Sequence, residues 1–158
     1  MTIDGCVYPK STGNVVKTML HTIGDYTSHN VKYASYELVK SAPIDIQFDW
    51  EKFNAHYEDT YAYPQMKRYV ETQLMPKIHD LDYFSLSKEV KHKYRPYIMN
   101  YLGFPDLSSL EKFEKLKRNR ILIIDDVNSS GSTLNEIMRV LLAVNADCEI
   151  YIFTLIGK

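Results

Sequence analysis

Residues 121–133, ILIIDDVNSSGST, place two adjacent carboxylates, Asp125 and Asp126, between four consecutive aliphatics and a glycine set among small hydroxyl residues. Two acids at the end of an apolar run repel each other and add nothing to a core, so their use lies with a cation, a polyol or a basic partner. Carboxylates accept hydrogen bonds from vicinal hydroxyls and hold Mg2+ directly or through water. The tract that follows, Asn128, Ser129, Ser130, Gly131, Ser132 and Thr133, supplies amide and hydroxyl donors with little bulk. Gly131 lets the backbone approach a ligand closely or take a positive φ. A helix starting at about Ser132 or Thr133 would aim its first amides and its dipole at a phosphate. Alone, the tract reads as a turn with a helix cap. Joined to the two acids, it describes a site for a ribose 5-phosphate.

The elements that must position these groups follow from hydrophobic spacing. ILII is too short for a buried helix and reads as a buried, parallel-type strand, while TLNEIMRVLLAVNA (133–146) puts Leu134, Ile137, Met138, Leu141 and Leu142 on one helical stripe. EIYIFTLI (149–156) returns as a strand. Near the start, residues 3–8 suggest a strand stopped by Pro9. VVKTMLHTI (15–23) places Val15, Val16, Met19, Leu20 and Ile23 at helical spacing, with Gly24 closing that helix, and residues 30–39 read as a second strand. Strand, helix, strand at both ends implies βαβ units and a parallel sheet with right-handed crossovers. Residues 44–118 are less regular. QMKRYVETQLMPKI and SLSKEVKHKYRPYIMNYL show helical periodicity broken by Pro76 and Pro96, and SSLEKFEKLKR (108–118) reads as a short amphipathic helix. In open α/β sheets ligands gather at the C-terminal ends of the strands, which is where YPKSTGN and DDVNSSGST both fall.

Length and composition exclude several classes. A chain of 158 residues fits one domain, and its 45% hydrophobic and 25% charged content suits a globular protein, with no apolar run long enough to span a membrane. No leader pattern opens the sequence, so a cytoplasmic protein is expected. Cys6 and Cys148 stand far apart with no ligand spacing and read as buried thiols, and the five histidines show no metal spacing. The net charge of −1 argues against a dedicated duplex-binding surface, and nucleic acid is not an expected partner, although residues 88–120 hold nine Lys or Arg against four acids. A receiver domain would need an aspartate and a lysine on strands for which too few residues follow Asp125. A P-loop would need G-x-x-x-x-G-K-[ST], and a dinucleotide site G-x-G-x-x-G; neither occurs.

Four hydrophobics, two acids and a V-x-S-S-G-S-T loop entering a helix resemble the phosphoribosyl pyrophosphate (PRPP) motif of type I phosphoribosyltransferases, over Ile121 to Leu134. The resemblance implies an α/β fold: a core parallel sheet flanked by helices, here with a mainly helical insertion at about 44–118 in place of a terminal hood, in a single domain of residues 1–158. It implies transfer of ribose 5-phosphate from PRPP to a nitrogenous base or amine, with Mg2+ as cofactor and pyrophosphate as product. Asp125 and Asp126 would then hold the ribose and the metal and act catalytically, and residues 128–133 would hold the 5'-phosphate. Lys10, Ser11, Thr12 and Gly13 stand where the family binds pyrophosphate, and Lys40 stands nearest its mobile basic loop. The family's 6-oxopurine enzymes resemble D-x-T-G at the position of Ser129, so classical purine salvage is disfavoured and the loop looks closer to competence-associated and unassigned members. Phe48, Trp50, Tyr57, Tyr61 and Tyr63 are candidates for stacking on an acceptor or for the core of the insertion. Alternatives from other classes are a PRPP- or nucleotide-sensing regulator without chemistry, and a structural subunit. A homodimer, or a partner chain completing the site, stays open.

Overall fold

Gly5–Pro9, GCVYP, is buried along its whole length, as a strand covered on both faces must be, and forms the middle of a five-stranded sheet. The computed structural model describes residues 3–10, 13–26, 34–116, 120–128 and 131–157. Its strands are β1 (Gly5–Pro9), β2 (Ala34–Lys40), β3 (Gln47–Phe48), β4 (Ile98–Met99), β5 (Leu102–Gly103), β6 (Arg120–Asn128) and β7 (Glu149–Gly157). The helices are α1 (Gly13–Tyr26), α2 (Trp50–Tyr57), α3 (Tyr63–Tyr69), α4 (Met75–His79), α5 (Leu86–Glu89), α6 (Leu107–Glu114) and α7 (Ser132–Val144). The chain divides into two compact units, Met1–Val39 with Leu102–Lys158, and Lys40–Tyr101.

The first unit carries the sheet in the order β5-β2-β1-β6-β7. β1 pairs in parallel with β2 and with β6, and β6 in parallel with β7. This is the α/β architecture the βαβ spacing predicts. Cys6 and Tyr8 on β1, Ile124 on β6 and Val16 on α1 form one buried cluster with Leu122 packed against it. The helical stripes shift in detail. Val15 is 40% exposed, and on α7 Leu142 is 42% exposed while Val140 joins Leu134, Ile137 and Leu141 in the core. Gly24 does not close α1, which runs on to Tyr26. β5 and α6 return the chain to this unit: Phe113 packs edge-on against Tyr36 of β2 with centroids 5.3 Å apart.

The second unit is mainly helical and carries its own core. Phe53 is fully buried and meets Phe48, Trp50, Tyr57, Tyr63, Tyr94 and Tyr97 with centroids 5.1–6.5 Å apart. Of the predicted stacking candidates, Phe48, Trp50, Tyr57 and Tyr63 therefore pack around this core, while Tyr61 is wholly exposed. Asp49 caps α2 by accepting from the Lys52 amide at 2.9 Å. Pro76 does not break the helix before it. A π-turn at Val70–Leu74, with the Met75 amide donating to the Val70 carbonyl, joins α3 to α4 where proline removes a donor. Residues 85–102 depart further from a helix: α5 is a single turn, a 3-10 helix spans His92–Tyr97 around Pro96, and β4 pairs antiparallel with β3. Among the described residues no helix is long and apolar enough to cross a membrane.

Candidate functional site

The strand order fixes where a ligand can bind. From β1 the chain crosses through α1 to β2 on one side; from β6 it crosses through α7 to β7 on the other. β1 and β6 are neighbours whose connections leave in opposite directions, so the crevice beyond their C-terminal ends is the topological switch point. Of the two loops singled out in the sequence, the described residues Lys10 and Gly13 follow β1, and Asn128 and Gly131 stand at and just after the end of β6, at that crevice.

On the β6 side the strand runs past the aliphatics through both acids. Asp125 pairs in register with Thr154, and its side chain is only 4% exposed. Carboxyl groups are rarely placed so deep without a purpose. Gly131 then takes the left-handed conformation, φ 69°, ψ −4°, as the cap of α7, and its carbonyl accepts from the Asn135 amide at 2.9 Å. A glycine cap brings no side chain of its own to the first-turn amides, and the turn leaves the backbone open to close approach. Ser132 is buried at the first position of α7, and Thr133 is half-buried beside it. The backbones of Asp126 and Asn128 continue β6, facing Ile156 and Gly157 at Val127 and Asn128. Their side chains, and all of Ser129 and Ser130, lie outside the described residues.

On the β1 side, Lys10 is exposed just beyond the strand and Gly13 opens α1; Ser11 and Thr12 lie outside the described residues. Gly13 is buried for a reason the sequence does not announce. A Cβ there would stand 2.6 Å from Oε1 of Glu37 on β2 and 3.6 Å from the Tyr8 ring. The Glu37 carboxylate thus sits at the N-terminus of α1, where the helix dipole favours an anion. It is felt by its neighbour: burial first, then the Glu37 charge, push the Tyr8 phenol above its usual range. Only a periodicity-two reading of ASYELVK, which puts Glu37 between the buried Tyr36 and Leu38, carried any signal of this acid.

Lys40, the last residue of β2, belongs to the second unit, and its ammonium is engaged within that unit. Its Nζ donates to the Tyr83 hydroxyl at 2.6 Å and the Phe84 carbonyl at 2.8 Å, and lies 4.0 Å from the Tyr83 ring centroid. A further acid, Glu136 of α7, is 3% exposed. It accepts from Arg139 through Nε at 2.8 Å and Nη2 at 3.0 Å, and from the Leu102 amide at 3.4 Å, tying α7 to β5.

The family model for the phosphoribosyl transferase domain matches residues 73–158. The chain belongs to this family. The matched range takes in β6, the two acids, the glycine cap, α7 and β7, and stops short of β1, α1 and β2. No curated protein and no solved structure matches the chain. Among the described residues no three His, Cys, Asp or Glu gather as a protein-only metal site.

Proposed function

We propose that this phosphoribosyl transferase domain is an enzyme that transfers ribose 5-phosphate from PRPP to a nitrogen acceptor and releases pyrophosphate, with Mg2+ as cofactor. The observation that carries the proposal is the buried Asp125 in the C-terminal half of β6, six residues before the left-handed Gly131 and the start of α7, beside the switch point of the sheet. The α7 amides and the hydroxyls of Ser129, Ser130, Ser132 and Thr133 hold the 5'-phosphate, while Asp125 and Asp126 accept hydrogen bonds from the ribose hydroxyls. As the bond from C1 to the diphosphate lengthens, positive charge grows on the ring and the two carboxylates stabilise it. Lys10 and the amides at Gly13 face the departing diphosphate. Paired carboxylates with hydroxyls are hard oxygen donors, a set that fits Mg2+ held partly by substrate phosphates, and the bound ion would neutralise charge on the diphosphate.

A second reading rests on Glu37. An acid already seated at the α1 N-terminus opposes a diphosphate there, which favours a protein that binds PRPP or a nucleotide through the β6–α7 half and does no chemistry. Calorimetric titration with PRPP, with and without Mg2+, followed by a pyrophosphate-release assay over a panel of bases and amines, separates the two. Binding with release for one acceptor supports the transferase and names its acceptor. Binding without release for any acceptor supports the sensor, and no binding overturns both.

A further inference from the structure

The second unit has no net charge, with nine basic and nine acidic residues in 40–101, yet its charge is unevenly placed. Residues 63–69, YPQMKRY, and 90–97, VKHKYRPY, hold five Lys or Arg and no acid. The fold brings these two segments together. Tyr69 of α3 stacks on Tyr94 of the 3-10 helix with centroids 5.2 Å apart and planes 26° from parallel. Lys91 stands 5.0 Å from the Tyr69 ring centroid and Lys93 5.0 Å from that of Tyr94, while Lys67 lies 5.9 Å from that of Tyr63. Lys91 and Lys93 are exposed, Lys67 and Tyr69 half-buried, and Arg68 on the same helix is exposed. The acids flanking the segments, Glu71 and Glu89, lie outside both, and Glu89 is paired with Lys77 at 2.9 Å.

We propose that this face binds single-stranded nucleic acid, independently of the phosphoribosyl site. Lysines alone would make a solvated surface, but here they stand beside the half-buried ring of Tyr69, which is backed by the buried Tyr94, and positive charge next to an accessible ring is what single strands need. The exposed Lys91 side chain leaves the ring of Tyr69 for a phosphate, and an unstacked base takes its place over the ring. Arg68, Lys67 and Lys93 engage neighbouring phosphates along the strand. Duplex, whose bases are already stacked, can use only the charges.

The test is fluorescence anisotropy of the full chain with labelled 12-nucleotide oligo(U) and oligo(dT), a duplex of equal length, and anionic vesicles as a competing surface, at several salt concentrations. Both single strands should bind more tightly than the duplex, with log K falling against log salt at a slope of about −2 to −3, as for roughly four phosphates. Tyr69→Ala should weaken single-strand binding by roughly five- to a hundredfold while barely changing duplex binding. Because that ring is half-buried, the surface variant K91E/K93E, read with circular dichroism to confirm folding, provides a second arm and should abolish binding. Absence of salt-dependent single-strand binding, equal binding of the duplex, binding of vesicles alone, or wild-type affinity in K91E/K93E would each overturn the proposal.

Discussion

Glu37→Gln separates the two readings of the site with one isosteric change. Its carboxylate oxygen lies 2.6 Å from where a Gly13 Cβ would stand, so the charge is within the first turn of α1. Removing it forfeits an anion on the helix dipole, about 0.3–1 kcal/mol, and should lower Tm by roughly 1–4 °C. For a diphosphate the same change is favourable. A unit charge about 5 Å from an incoming phosphate opposes it by about 0.8 kcal/mol in water and about 3 kcal/mol at an effective dielectric constant of 20. At about 1.4 kcal/mol per decade, pyrophosphate should bind E37Q roughly 4- to 150-fold more tightly than the wild type, measured by calorimetry at low salt. The gain should shrink as salt rises. Affinity that is unchanged or reduced in E37Q would refute the reasoning, because the acid would then not be competing with the diphosphate. Loss of affinity confined to solutions with Mg2+ would show instead that Glu37 binds the cation.

Asp125→Asn with Asp126→Asn should abolish Mg2+-dependent PRPP binding in calorimetry while leaving the circular dichroism spectrum intact, since it removes charge and keeps volume; wild-type affinity would sink the assignment. Gly131→Ala places a Cβ on a left-handed residue, which costs about 1–2 kcal/mol and a Tm loss of roughly 2–8 °C, and should weaken PRPP further by stiffening the cradle. Arg139→Ala leaves Glu136, buried on α7, without its cation; because Arg139 is itself 38% exposed, the loss should be near 2 kcal/mol in urea unfolding, and Glu136→Leu in the same background should recover part of it. Burial pushes the Cys6 thiol from its ordinary 9.0 up to about 12, so the folded state keeps a proton that the unfolded chain releases. That contribution to stability is complete below about pH 9 and is lost as pH rises toward 12, with a slope near 1.4 kcal/mol per pH unit, and Cys6→Ala should remove this part of the dependence in urea titrations at pH 8 and 10.

The β6–α7–β7 half was legible because each of its signals is local. Four aliphatics make a strand, one glycine sets a cap, and a 3.6-residue stripe makes a helix, so the start of α7 at Ser132 and the α/β class follow from neighbours in sequence. What escaped depended on distant partners. β5 is two residues long and is a strand because it pairs with β2, some sixty positions earlier, while its Leu102 amide donates to Glu136 on α7, thirty-four positions later. Pro76 reads as a helix breaker, yet a π-turn upstream absorbs the missing donor. Glu37 is an ordinary acid in an alternating strand until the parallel pairing of β1 with β2 sets it against α1.

The two halves of the crevice therefore differ in kind. On the β6 side, an aliphatic residue at position 125 would extend the run from Ile121 and fill the same buried place with no charge to desolvate. A carboxylate there is a departure from what the sheet alone favours, and such departures concentrate where a ligand is bound. On the β1 side, Glu37 against Gly13 satisfies the α1 dipole from within the fold, so local stability and diphosphate binding pull against each other. A ribose phosphate can thus be held by the first half whether or not the second admits a leaving group. On the proposed reading, catalysis would require the diphosphate, or the cation it carries, to displace or recruit Glu37. The proposed chemistry would then turn on β2, a strand outside the family-matched range, more than on the motif that reveals the family.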